Sequence, residues 1–401
     1  MSTFRPGRVS PVDFPESPLS RVLRQPFLLG LFLPIQAGGW TPSTLPRTTT
    51  WTFDYNLALA RRAEQLGFDL VFGLAQWASK GGYGGSTKYR EVSLDSFMTT
   101  AALAAATERI LLISTLHILY GPWHPVHLAK FGATLDHIAR GRWGINMVTG
   151  YAAREPAMFG MTKIEHDRRY EMAEIFATRL QQLWSLDENL TVDGPYWAME
   201  DAFVTPKPRF GRPVMVNASG SSAGIGYGVR HSDIMFITSP AGNQLEDALS
   251  SVPGHTAAIR AAAAAEGRQV RTIINPMVLC RDTEREAIAY RDAIEAAADT
   301  EAVENFAEHG RKGDAQAWRN QRRLHRAIGG NLHLVGSPEQ IVDGFLKLRG
   351  AGVDGVQLTF YDFAPDLEYF AEKVLPLMYQ AGLRVSDNGA ALSRRQPAFA
   401  G

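Results

Sequence analysis

Eight short apolar segments, separated by stretches that contain residues at helical spacing, constrain this chain more than any other feature. Nearly continuous apolar runs are typical of strands buried on both faces. Their alternation with helices predicts a parallel sheet with right-handed crossovers. Eight such units predict an α/β fold, the TIM (β/α)8 barrel. The predicted strands are Phe27–Pro34, Phe68–Leu74, Ile110–Leu116, Trp143–Val148, Pro213–Ala218, Asp233–Thr238, Val270–Cys280 and Val353–Phe360.

The chain has 401 residues, more than a typical barrel of about 250 needs. Two stretches do not fit the alternation and are predicted as insertions. Residues 187–212 are expected to carry a hairpin, and residues 299–335 are polar, charged and helix-prone. Residues 1–26 and 386–401 are rich in proline, serine or small residues and are expected to be flexible tails. One barrel domain, residues 27–385, then accounts for the rest.

The charge balance excludes one broad class of function. Lysine plus arginine total 41 and aspartate plus glutamate total 41, so the formal net charge is zero. A general nucleic-acid binder needs a basic excess, which is absent.

No targeting signal or membrane-spanning run is recognised in the sequence. Cys280 is the only cysteine, so an intrachain disulfide is excluded, and it is interpreted as a small buried hydrophobic residue. A cytoplasmic protein is expected.

In a TIM barrel, functional groups lie at the carboxyl ends of the strands. The residues at these positions are mostly amides, hydroxyls, aromatic rings and glycines, with no close carboxylate pair and no metal-ligand spacing. Such a neutral site suits a large planar cofactor that brings its own reactivity. No metal site is predicted.

Three features of this predicted site remain open on the residues alone. The serines of Asn217–Gly224, Ser221 and Ser222, either cradle a phosphate at a helix N-terminus or only cap that helix. Asn146 inside a strand either faces the barrel mouth or pairs with a neighbouring strand. His117 is either functional or a satisfied strand-end histidine.

Longer motifs identify a family. The sequences LDHIARGRWGINMVTGY, EHDRRYEMAEIF and NASGSSAG occur in the chain in this order. Over about residues 27–383 the chain resembles the bacterial-luciferase-like flavin-dependent monooxygenases. Within that superfamily it most resembles the dimethyl-sulfone and alkanesulfonate monooxygenases and the pyrimidine oxygenases.

The resemblance implies a barrel that uses reduced FMN supplied by a separate NAD(P)H:flavin reductase. It further implies that O2 forms a peroxide on the flavin, at C4a or N5, which attacks a small substrate. Homodimers or homotetramers are usual in such proteins, and contact through the early helices is expected.

The resemblance also assigns roles to residues. Thr115 and Asn146 match a pair that holds oxygen near the flavin, and His117 matches a histidine of some relatives. Trp40, Trp123 and Tyr151 are expected to form apolar walls around the substrate, and Arg154 or Arg169 to bind an anionic group. The flavin contacts implied by the resemblance, with Ser222 added from the serine turn, are Ala75, Gln76, Asn146, Glu155, Arg169, Tyr170, Ser221 and Ser222.

These observations favour an FMNH2-dependent two-component monooxygenase that oxidises and cleaves a small organosulfur compound, a sulfone or sulfonate. An oxygenase of an N-heterocycle, an F420-dependent dehydrogenase and a non-catalytic flavin-binding protein are the alternatives.

Overall fold

Strands and helices alternate along most of the chain in a computed structural model. The structure describes residues 9–150, 153–218, 220–312, 327–330 and 332–386. The strands are β1 (Leu28–Phe32), β2 (Leu70–Gly73), β3 (Leu111–His117), β4 (Trp143–Val148), β5 (Leu190–Val192), β6 (Met199–Ala202), β7 (Val214–Ala218), β8 (Ile234–Ile237), β9 (Arg271–Ile274), β10 (Pro276–Cys280), β11 (Leu332–Gly336) and β12 (Gly355–Leu358). The helices are α1 (Pro18–Val22), α2 (Phe53–Gln65), α3 (Ser96–Ala106), α4 (Pro125–Ile138), α5 (Arg154–Met158), α6 (His166–Ser185), α7 (Ser222–His231), α8 (Leu245–Ala265), α9 (Glu284–Ala296), α10 (Thr300–Lys312), α11 (Pro338–Gly350), α12 (Phe363–Tyr369) and α13 (Leu375–Gln380).

Eight of these strands close into a parallel barrel in the order β1-β12-β9-β8-β7-β4-β3-β2. Each coincides with one of the eight predicted segments, β3 extending one residue beyond its segment to His117, so the predicted (β/α)8 barrel is confirmed. The register between β3 and β4 places Thr115 beside Asn146. Helix starts follow local chemistry: Asp95 caps α3 through its side chain, and Ser337 and Gln340 form a capping box at α11.

The predicted strand Val270–Cys280 is wrong as a single element. Its first part, β9, belongs to the barrel, whereas β10 leaves it and pairs in parallel with β11. The break falls at Asn275, whose side-chain amide donates to the Gln357 carbonyl (2.6 Å), and at Pro276, which has no backbone N–H. The uniformly apolar composition hides this break, because both halves are buried.

The two predicted insertions have different structures. Residues 187–212 contain the antiparallel pair β5–β6, so the expected hairpin is confirmed. The second insertion contains the expected helix, α10, but also most of β11, which the polar composition of residues 299–335 did not predict. Residues 313–326 lie outside the described part of the chain.

The segment before β1 is packed rather than loose. Helix α1 begins at a proline capped by Ser17, and its residues Leu19 and Val22 are buried against the first residues of several barrel strands, including Leu28 and Leu111. This helix covers the amino-terminal end of the barrel, so the prediction of a flexible tail is wrong for residues 10–26. The remaining tail residues, 1–8 and 387–401, lie outside the described residues.

Two other sequence interpretations can be compared with the structure. Cys280 is buried, and burial raises the pKa of its thiol to about 12, as expected of a structural cysteine. Within the described ranges, no helix is long and apolar enough to cross a membrane.

Candidate active site

A cavity of about 320 Å³ opens at the carboxyl ends of the barrel strands. Its volume lies in the range of small-molecule sites. It is lined by residues that lie in or follow seven of the eight barrel strands and by α10. The predicted site residues that line it are Trp40, Ala75, Gln76, Thr115, His117, Asn146, Glu155, Arg169, Tyr170 and Ser221.

Two described residues of the predicted site, Trp123 and Ser222, are not among those that line the cavity. Trp123 packs edge-on against Phe97 of α3, with ring centroids 5.7 Å apart, and its expected place in a wall of the site stays a prediction. Ser222 is exposed as the first residue of α7. Tyr151 lies outside the described residues. Arg154, a candidate for binding an anion, is also not a lining residue; it donates to the Gly82 carbonyl (3.0 Å) and lies 5.4 Å from the centroid of the Tyr83 ring.

Thr115 and Asn146 form a hydrogen-bonded pair at the centre of the site. The Asn146 Nδ2 donates to the Thr115 Oγ1 (3.2 Å), and both residues are buried. Both open readings of Asn146 therefore hold, because it pairs with the next strand and also faces the cavity. The Thr115 oxygen accepts this bond, so its hydroxyl hydrogen remains available to a ligand. The Asn146 Oδ1 is buried without a partner in the described part of the chain.

His117 forms a second polar group with Glu155 and Tyr120. Of these three residues, Tyr120 was not singled out in the sequence. The Nε2 of His117 lies 3.3 Å from a Glu155 carboxylate oxygen, and its ring stacks on Tyr120 with centroids 4.8 Å apart. The Tyr120 hydroxyl donates to the same Glu155 oxygen. Burial lowers the pKa of His117 although Glu155 opposes this effect, so the imidazole is neutral at pH 7. This group can hold or move a proton beside the cavity.

The start of α7 shows the helix cap expected of the serine turn, and phosphate binding there stays a prediction. The Ser221 Oγ accepts from the Gly224 N–H (3.1 Å), which is a helix N-cap. Ser221 also lines the cavity, together with Arg169 and Tyr170 from the first turns of α6. The Arg169 Nη1 donates to the Ile164 carbonyl (2.9 Å), which holds this side chain in place. A cation and a helix N-terminus therefore lie at one side of the cavity, as anion binding requires.

The opposite wall is aromatic and was missed in the sequence. It consists of Tyr83 and Tyr89 from the loop after β2, with Phe306 of α10, and the Tyr83 and Phe306 rings meet edge-on at 4.9 Å. The loop turns sharply at Gly82, where φ is +57° and a Cβ would lie 2.3 Å from the Tyr89 carbonyl oxygen. The GGYGG motif signals such a turn, but the sequence does not reveal that α10 covers it.

Asp299 ties this loop to the second insertion. One of its carboxylate oxygens accepts from the Thr87 N–H and from the Thr87 hydroxyl, each at 2.7 Å. The Asn305 side chain donates to the Tyr83 carbonyl (2.8 Å). The insertion therefore helps to position the aromatic wall of the cavity.

The sequence of this chain matches a known protein family. The family model described as luciferase-like monooxygenase matches residues 28–355. The chain belongs to that family. The resemblance inferred from the three motifs is confirmed, and the match spans seven barrel strands and reaches the first residue of the eighth, β12.

Two characterised groups within the family are similar to this chain over most of its length. It is 33% identical over 366 residues to the FMNH2-dependent dimethylsulfone monooxygenase of Pseudomonas putida, an alignment that covers 89% of this chain and 96% of that protein. It is 32% identical over 361 residues to the pyrimidine monooxygenase RutA of Allorhizobium ampelinum, covering 87% of this chain and 95% of that protein. The solved structure of DmoA from Hyphomicrobium sulfonivorans shares the fold, with a TM-score of 0.75 and 21% identity over 93% of this chain and 92% of that one.

Proposed function

We propose that this protein is an FMNH2-dependent two-component monooxygenase that oxidises and cleaves a small organosulfur compound. A separate NAD(P)H:flavin reductase would supply the reduced flavin, and O2 would be the second substrate. The observation that carries the proposal is the hydrogen-bonded Thr115–Asn146 pair at the barrel mouth of a luciferase-like monooxygenase. The similarity to the Pseudomonas putida dimethylsulfone enzyme supports the substrate class. We place the reaction in the cytoplasm, where NAD(P)H is available.

The cavity fits a flavin. The Oδ1 atoms of Asn146 and Asn217 are buried acceptors without a partner among the described residues, and the ring of reduced flavin carries N–H groups that suit them. Tyr170, Arg169 and Ser221 supply the polar end that a ribityl phosphate needs. Ala75 and Gln76 line the same cavity and would lie against the ring system.

The groups of cavity residues have different roles in the proposed oxidation. When bound, reduced FMN supplies the two electrons with which O2 yields one oxygen atom for the substrate and one for water. Thr115 and Asn146 offer hydrogen-bond donors where negative charge develops on oxygen. The aromatic wall excludes water from that position. The Nδ1 of His117 is buried without a hydrogen-bond partner among the described residues, so neutral His117 is poised to take or give a proton at that atom.

An oxygenase of an N-heterocycle is the second candidate. The similarity to the pyrimidine monooxygenase RutA is nearly as extensive as that to the sulfone enzyme. Uracil and dimethyl sulfone differ in shape and in hydrogen-bonding groups, so direct assay separates the two candidates.

Turnover by the purified chain tests the proposal. We expect oxidation of dimethyl sulfone or methanesulfonate in the presence of FMN, NADH, a flavin reductase and O2, and no product when any of these is omitted. Oxidation of uracil alone would assign the second candidate. A chain that binds F420 but not FMN would overturn the flavin assignment, and FMN binding without oxidation of any compound would indicate a non-catalytic relative.

We further propose a homodimer through the early helices. Three large apolar side chains are unusually exposed on α3 and α4: Met98 (68%), Phe131 (44%) and Ile138 (48%). Phe131 and Ile138 are seven residues apart and share one helix face. Such residues are typical of subunit interfaces.

Replacing Phe131 by glutamate is expected to convert the dimer into monomers at micromolar concentration, because a charge would be buried at the interface. Light scattering after size-exclusion chromatography measures the mass. Leu346→Glu is the control, since Leu346 is also exposed (40%) but lies on α11. An unchanged mass for Phe131→Glu, or an equal loss for both variants, would contradict the assigned interface.

A further inference from the structure

One arginine in the cavity has no described carboxylate partner. Arg90 follows β2, lines the cavity and is only 6% exposed. Its guanidinium carbon lies 4.8 Å from the Trp40 ring centroid, 5.1 Å from that of Tyr89 and 5.0 Å from that of Phe306. Its Nη1 donates weakly to the Gln76 Oε1 (3.4 Å), and its Nε has no hydrogen-bond partner among the described residues.

A buried guanidinium without a carboxylate partner is expected to bind an anion. Arginine stays protonated in proteins, so burial cannot be relieved by loss of the proton. Aromatic faces offset only part of the desolvation cost. Among the described residues its N–H donors reach only neutral groups, the Gln76 Oε1 and the Tyr89 hydroxyl, and their planar fork matches the two oxygens of a carboxylate or sulfonate.

The backbone holds this side chain in place. The Arg90 N–H donates to the Ala37 carbonyl (3.0 Å), and the Arg90 carbonyl accepts from the Gln76 side chain (2.8 Å). Arg90 adopts a φ of +59°, a conformation that costs free energy in a non-glycine residue. The guanidinium is thus fixed by contacts from two loops before any ligand arrives.

The position of Arg90 separates it from the phosphate side of the cavity. The loops after β1 and β2, which carry Trp40 and Arg90, lie across the barrel ring from β7 and β8. Ser221 follows β7, and Arg169 lies at the start of α6. The only carboxylate among the described lining residues, Glu155, is engaged by Tyr120 and His117.

We propose that Arg90 binds an anionic oxyacid group, a sulfonate or carboxylate, of the small substrate. This inference rests on the proposed function, because it assigns the Ser221 side to the flavin phosphate. It narrows the substrate from organosulfur compounds in general to charged ones. The enzyme should therefore prefer methanesulfonate to dimethyl sulfone, which has nearly the same size and a neutral methyl group in place of one oxygen.

Binding of these two compounds tests the inference directly. With FMN present, calorimetry should give a Kd for methanesulfonate at least about tenfold below that for dimethyl sulfone, as expected for charge-assisted hydrogen bonds. Arg90→Met should abolish this preference, and Arg90→Lys should retain part of it. FMN affinity, followed by fluorescence quenching, should stay within about threefold of wild type in both variants.

The control is Arg154→Met, which removes a nearby cation that lies outside the cavity lining and should preserve the preference. Equal or tighter binding of dimethyl sulfone by the wild type would overturn the inference without needing any variant. Methanesulfonate binding that survives in Arg90→Met would also overturn it. Neither result would affect the proposed function, which fails instead if FMN does not bind or if no compound is oxidised.

Discussion

Replacing Asn146 by alanine is expected to lower the kcat for substrate oxidation at least about 100-fold, a larger factor than the accompanying loss of FMN affinity. The amide donates to the Thr115 hydroxyl and leaves a second N–H for a ligand. Its removal takes away one donor and frees the Thr115 hydroxyl to rotate. Loss of one preorganised donor to a developing oxyanion costs about 10²–10³ in rate in enzymes that depend on it.

Two further variants make this result specific. Thr115→Val keeps the shape of the side chain and removes the hydroxyl, so it should lower kcat by a similar factor. Ser114→Ala is the matched control: Ser114 lies on the same strand, does not line the cavity and accepts from the Trp143 indole (3.1 Å). It should cost only stability. Product formation and FMN fluorescence quenching report the two quantities. Asn146→Ala with near wild-type turnover would contradict the assigned role.

The sequence predicted the centre of this site because strand ends in a parallel barrel converge on one face. Thr115 and Asn146 lie at the ends of consecutive strands, and their pairing follows from the β3–β4 register. The aromatic wall could not be predicted in the same way. Arg90 and Phe306 are far apart in the chain and meet only because the second insertion folds back over the loop after β2.

The same contrast holds for the fold. Burial on both faces makes barrel strands visible as apolar runs, so all eight were found. Helix α1 was missed because proline and serine suggest a loop, although a capping Ser17 followed by Pro18 is also a helix-start signal. Only tertiary packing decides between these two interpretations. Leu19 is buried at the amino-terminal end of the barrel, and this packing favours the helix.

Replacing Asp233 by alanine is expected to lower the free energy of unfolding by about 3–5 kcal/mol, the usual cost of removing one partner of a buried ion pair. Asp233 and Arg212 are both buried and joined by two hydrogen bonds of 2.7 and 2.8 Å. The same carboxylate accepts from the Ser10 hydroxyl (2.7 Å) and the Met215 N–H (3.0 Å). Alanine would leave the Arg212 charge buried and would release the segment that leads into α1.

The pH dependence of stability gives this prediction a second readout. Burial alone would raise the pKa of Asp233, but Arg212 and the hydrogen bonds outweigh it and hold the pKa below its ordinary value. The stabilisation is therefore complete above the unfolded-state pKa of about 4 and is lost as the pH falls further. Urea unfolding at pH 7 and at lower pH should show the wild type losing stability toward the level of Asp233→Ala. The control variant is Asp343→Ala, which breaks an exposed ion pair with Lys347 and should lower the free energy of unfolding by less than about 1 kcal/mol.

An Asp233→Ala variant no less stable than this control would show that the buried pair does not hold the amino-terminal segment to the barrel.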